Sequence, residues 1–236
     1  MFPPSGVFPV FARKMILQSD RAFDLRRDIM PHLDPTSLAP AAGLLQTWVL
    51  PVLLGLGLAS ATGLRTFLPL LMLALAARFG LFGVTLNEHL GWLGSLPAIA
   101  ALTVAAVVEF AGDKIPVVDH ALTVVGAFTR PVAGAVAAAS VFAGLDPTTA
   151  AIAGIIVGAP AAFAFNAVQG GTRLTSTATT GGLGNPVLSF IEDGLSFGMV
   201  LIAFLAPIIV PVVLIVLAVL LFRLANRLRG RRVSQA

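Results

Sequence analysis

The chain has 236 residues, of which 57% are hydrophobic and 11% charged, with a mean hydropathy of +0.95 and a formal charge of +4. About a quarter of the residues of a water-soluble globular domain are charged, so the composition excludes that class and points to an integral membrane protein. With no cysteine, disulfides and thiolate metal sites are excluded as well.

Residues 1–40 form a tail in which "RKMILQSDRAFDLRRDI" interleaves Ile16, Leu17, Phe23, Leu25 and Ile29 with charges. This suits a short amphipathic helix on the membrane surface or a disordered leader, and the tail lacks the ordered regions of a signal peptide. A transmembrane domain is expected over residues 41–222. Its first span falls within Leu44 to Ala61, with Trp48 near an interface. "SATGLRTFLP" then breaks the chain at Gly63, Arg65 and Pro69, leaving Phe67 to Ala77 as an apolar stretch too short to cross alone. Residues 78–97 read as an interfacial loop. A third span, Ala98 to Gly112, runs into "EFAGDKIPVVDH", which gathers Glu109, Asp113, Lys114, Asp119 and His120 after an uncharged run. A fourth segment, Val117 to Leu145, is expected to break at "FTRP", because Pro131 lacks a backbone donor and disfavours helix at Arg130. A fifth span covers roughly Thr148 to Val168. The Ser/Thr/Gly-rich stretch from Gln169 to Asp193 reads as irregular backbone, an exposed loop or the lining of a cavity, and Asn185-Pro186 inside it suits a helix start. A sixth span covers Ser196 to Phe222, kinked at Pro207 and Pro211. Residues 223–236 form a basic tail, whose "RLANRLRGRR" carries five Arg and no acid.

The expected fold is therefore all-α and polytopic, with about six transmembrane helices, some of them broken or half-length. Six crossings put both termini on one side, and the Arg-rich C-terminus places that side in the cytoplasm. "EFAGDKIPVVDHALTVVGAFTRPVAGAV" and "VQGGTRLTSTATTGGLGNPVLSF" echo each other, each leading through a basic residue and a loop to an Xaa-Pro-Val helix start. Such an internal repeat with paired broken helices points to a transporter site at the repeat interface.

Ionisable groups near spans are costly, and they pair or line a pathway. Glu109 and Asp113 stand four apart on one helix face and repel unless a cation or proton intervenes; Arg65, Lys114, Arg130 and Arg173 are the cations at hand. These residues, with Asp119, Asn185, Glu192 and Asp193, are the candidate solute pathway or, on the plainer reading, internal ion pairs and interfacial loop charges. There is no HExxH, and His32, His89 and His120 are far apart in sequence; neither enzymatic activity, cofactor nor metal is expected. The basic excess sits mainly in the tails, which suits anionic lipid rather than nucleic acid.

"GLRTFLPLL" after a first span, "E…DKIP…D" leading to "RPVAGA", and "GGLGNPVLSFIED" before a last long span together resemble an uncharacterised family of bacterial inner-membrane proteins, the domain of unknown function numbered four-one-two-six, over Leu44 to Leu221. The resemblance implies a multi-span domain without cofactor in the bacterial inner (cell) membrane, and it assigns no activity and no site residues. Two functions stay open. One is a transporter or channel for a small polar or ionic solute; the other is a non-transporting scaffold or lipid-interacting protein. The partners expected are membrane lipids, the solute and, in a homo-oligomer, further copies of the chain.

Overall fold

The structure, a computed structural model, describes residues 42–233, and within it the side chains of residues 116, 117, 119 and 120 and most of those after 220 are outside the described set. The expected amphipathic helix in residues 1–40 and the side chains of Asp119 and of the C-terminal tail beyond Arg223 therefore lie outside the described residues. The helices below belong to the unit Gln46–Ala236. Among the described residues there is helix and no strand, as the composition requires.

A π-helical turn, Leu45–Val49, leads into α1, Leu50–Leu64, which starts on Pro51 and ends where Arg65 turns extended (φ −135°, ψ 121°). The break has a local cause. Pro69 has no N–H for the carbonyl of Arg65, and its ring would clash there, so the helix restarts as α2, Phe67–Phe79, with Pro69 in the first turn, where a missing donor costs nothing. Gly80, left-handed at φ 64°, ends α2. Two 3₁₀ turns, Leu81–Gly83 and Glu88–Gly94, follow. Ser95 then caps α3, Leu96–Gly112, by accepting from the Ala98 amide at 3.3 Å.

Pro116 opens α4, Pro116–Ser140, and Pro131 lies inside it; the expected break at Arg130-Pro131 does not occur. One proline inside a long, packed membrane helix removes a single hydrogen bond, and such prolines are tolerated where neighbours compensate. Asp146 caps α5, accepting from the Thr149 amide at 3.0 Å. α5 runs unbroken from Pro147 to Thr180, 34 residues, and stops at left-handed Gly181. The expectation that helix ends near Val168 is corrected: Gly170 and Gly171 lower propensity by about 1 kcal/mol each without ending the helix, which Gln169 and Arg173 tie to Glu192, and the irregular segment shrinks to residues 181–184. α6, Asn185–Leu205, starts on the expected Asn185-Pro186, eleven residues before the expected span start at Ser196. It ends at Ala206; a 3₁₀ turn at Pro207–Ile209 separates it from α7, Val210–Val233, so the long kinked helix expected over 196–222 is two helices. The proposed repeat also fails at its key step, since Arg130-Pro131 lies mid-helix whereas Asn185-Pro186 opens one.

Four described helices are long and apolar enough to cross a membrane, namely Ala42–Leu64, Ala121–Ser140, Pro147–Thr180 and Asn185–Leu205; a fifth span arises if Glu88–Gly94 and Leu96–Gly112, bent by 64°, count together. About six were expected; two shorter apolar helices are Phe67–Phe79, where a half-length stretch was expected, and Pro207–Leu220, where part of a full span was. Val104, Phe128, Ile156 and Phe163 are among the many large apolar side chains exposed on the outside, as on a surface that meets lipid.

α1, α4 and α5 pack through a seam of small residues. A Cβ on Gly134 would lie 2.5 Å from that of Ala162, and one on Gly158 would run into the carbonyl of Gly134. A Cβ on Gly154 would lie 2.6 Å from the Ala135 carbonyl, and one on Gly55 would lie 3.2 Å from Ala138. In lipid, where burying apolar surface between helices brings little, such close backbone contact is what holds helices together. α5 buries one continuous stripe, Ala150, Gly154, Gly158, Ala162, Asn166, Gln169 and Arg173. Its first part is this seam, and its second part enters the site described next.

Candidate functional site

Where α1 breaks, the carbonyl of Gly63 and the side chain of Arg65 are left facing inward, and four helices, α3 to α6, bring charge to them. Arg65 is 2% exposed. Its guanidinium pairs with Asp113 at the end of α3, with Asp193 of α6 (2.6 Å), and donates to the Ser189 hydroxyl (2.8 Å) and carbonyl (3.0 Å), with Glu192 at 3.8 Å. Arg173, on the polar half of the α5 stripe, joins Asp113 (3.0 Å) to Glu192, and Gln169 donates to Glu192 at 2.7 Å. Arg130 of α4 donates to Asn166 Oδ1 at 2.9 Å and to the Gly63 carbonyl at 3.4 Å, with Glu109 Oε1 at 3.9 Å.

Glu109 is satisfied in another way. Its two carboxylate oxygens accept the backbone amides of Thr66 (2.8 Å) and Phe67 (3.1 Å), the first free donors of α2. A carboxylate at a helix N-terminus meets both the orphan amides and the positive end of the dipole. The i, i+4 repulsion of Glu109 and Asp113 is thus relieved by separate partners, Glu109 by amides and Arg130, Asp113 by Arg65 and Arg173.

The buried network holds three guanidiniums, of Arg65, Arg130 and Arg173, and three carboxylates, of Glu109, Asp113 and Glu192. Its rim adds one acid, Asp193, whose side chain is 19% exposed, and one base, Lys114. A buried uncompensated charge is expensive, and here the buried charges match in number. The Lys114 ammonium lies at the edge of the network, 3.2 Å above the Phe110 ring and 4.5 Å from that of Phe190, and donates to the Phe110 carbonyl. Phe110 and Phe190 meet edge to face at 6.1 Å, tying α3 to α6 there. Asp113 Oδ1, Asp193 Oδ2 and Arg130 Nε have no hydrogen-bond partner among the described residues.

Two open grooves reach the network from the outside of the bundle. One, of about 580 Å³, is walled by apolar residues including Phe67, Val104, Val108 and Leu122. The other, of about 360 Å³, includes Arg65, Leu68, Phe110, Asp193 and Phe197. Glu109 lines both.

Of the residues expected to matter, Arg65, Glu109, Asp113, Arg130, Arg173, Glu192 and Asp193 come together and Lys114 stands beside them. Asn185 is elsewhere, donating to Thr177 Oγ1 across the turn between α5 and α6 (3.1 Å). Asn166, Gln169 and Ser189 were not expected as site residues. A signal for the first two was present: they fall three or four residues apart along the same helix face as Gly154, Gly158, Ala162 and Arg173. Among the described residues no group of three or more His, Cys, Asp and Glu is placed to hold a metal ion.

The family described as Domain of unknown function (DUF4126) matches residues 52–227 of the sequence. No curated protein and no solved structure matches the chain.

Proposed function

The chain belongs to the DUF4126 family, whose description names no activity, and we propose that it moves a small polar or ionic solute across the membrane, coupled to protons. The observation that carries this reading is a buried network of three guanidiniums and three carboxylates, set at a broken helix and reached by two open grooves that Glu109 lines. Ionisable groups among spans are costly and pair or line a pathway, and a pathway needs a group that changes its protonation or its partner. The break between α1 and α2 supplies the second requirement, irregular backbone lining a polar interior. On the same reading the protein sits in the bacterial inner membrane with its Arg-rich C-terminal tail against anionic lipid on the cytoplasmic face, and it works without a cofactor and without enzymatic chemistry.

The test uses proteoliposomes with a pH-sensitive dye inside. Addition of small polar solutes outside, tried as a panel of carboxylates, amines, zwitterions and neutral polyols, is expected to acidify the lumen for at least one class, and not in empty liposomes. No proton or solute movement for any class would leave the cluster as a structural clamp.

A further inference from the structure

Glu109 occupies a binding site that does not need to be its own. The site consists of the two free amides of Thr66 and Phe67 at the N-terminus of the 13-residue α2 and of the Arg130 guanidinium 3.9 Å away. Arg130 is 2% exposed, yet its Nε has no hydrogen-bond partner among the described residues. Paired amides on a helix dipole beside a guanidinium are a receptor for a planar anion. What fills it is a carboxylate on a three-bond arm from α3, and that arm stands where the two grooves meet.

We propose that Glu109 is a built-in surrogate for a solute carboxylate, and that the transported solute is a small monocarboxylate with an apolar body. This rests on the transport reading above. Protonation of Glu109 removes its claim on the amides. The side chain then turns toward a groove, and the solute carboxylate takes the amides and Arg130. The exchange balances: one proton is taken up and one carboxylate enters, so the network carries the same charge before and after. The charged groups around Glu109 are Arg65 at the helix break, Asp113 and Lys114 at the end of α3, Arg130 on α4, Arg173 on α5 and Glu192 and Asp193 on α6. Among the described residues it is Glu109 that accepts the α2 amides, which makes it the group whose proton and whose position change together. The walls select the body of the solute. Phe67, Val104, Val108 and Leu122 offer apolar surface and no hydrogen bonds, so a hydroxylated or second charged end would be left unpaired.

The experiment is calorimetric titration of benzoate into the full chain in lipid nanodiscs at about pH 5 and about pH 8, in buffers of different ionisation enthalpy and against empty nanodiscs. Saturable binding is expected, about tenfold or more tighter at the lower pH, with about one proton taken up per benzoate, and benzylammonium should not bind. Glu109→Gln should bind benzoate at both pH values without proton uptake. If that variant does not fold, Glu109→Ala should regain thermal stability saturably in acetate and not in chloride. Wild-type binding without proton uptake, equal binding of benzylammonium, or a folded Glu109→Gln that ignores benzoate would overturn the proposal. Binding with one proton but no flux would sink the transport reading and keep the site, while flux of another class without benzoate binding would do the reverse.

Discussion

The buried stripe of α5 divides into two regions that hold their neighbours by opposite means. From Ala150 to Ala162 it has almost no side chain, and α1 and α4 come close enough that a single added Cβ would strike backbone. From Asn166 to Arg173 it carries long polar arms that reach Glu192, Asp113 and Arg130 across gaps of hydrogen-bond length. The first region depends on shape and has nowhere to move. The second depends on charge balance, and long side chains let partners be exchanged without moving a helix. A rigid seam beside an adjustable network is the arrangement a moving pathway needs.

This contrast can be broken at either end. The largest effect is expected in the seam. Gly158→Leu drives a side chain into the Gly134 backbone, which has no rotamer to yield, and should remove most folded protein, read as the monodisperse fraction on size exclusion in detergent. In the network, Arg65→Gln leaves buried Asp113 with Arg173 alone and strips Asp193 at the rim of its guanidinium, a cost of up to about 3 kcal/mol. Adding Asp113→Asn should recover part of the lost thermal midpoint, and the double-mutant cycle should show a coupling of about 1 kcal/mol or more; strict additivity would mean that the charges act separately. The smallest effect is expected at the rim, where Lys114→Met gives up a half-exposed cation over Phe110 and should change stability by less than about 1 kcal/mol. A large loss there would place Lys114 inside the network rather than at its edge.

The sequence disclosed the charges better than the backbone that carries them. Arg65 beside Gly63 and Pro69 could be read as a helix break because proline acts locally, on its own N–H and the carbonyl four residues back. By the same rule Pro131 should have broken α4 and does not, because packing against α1 and α5 outweighs one lost hydrogen bond. The stretch from Gln169 to Thr180 looked like loop for its Gly and Thr, yet it is helix: propensity is a weak prior, Gln169 and Arg173 are tied to Glu192, and Thr175, Thr179 and Thr180 donate their hydroxyls to carbonyls one turn back. Convergence is the part that periodicity cannot supply. Glu109 and Asp113 are visible as an i, i+4 pair, but that one would take backbone amides and the other two guanidiniums depends on where α2, α5 and α6 lie. Asn166 could have been found by extending the small-residue stripe by one more turn, which the uncharged run from Pro147 to Thr172 obscured.

The central claim is that the charged half of the stripe moves solute and does more than fasten helices. It is tested most directly by proton entry into proteoliposomes holding Arg65→Gln/Asp113→Asn, compared with wild type at matched insertion and after thermal stability has been measured. The pair is expected to regain part of the stability lost by Arg65→Gln alone while solute-driven proton entry stays absent. Proton entry that returns in step with stability, or a wild type that shows none, would contradict it.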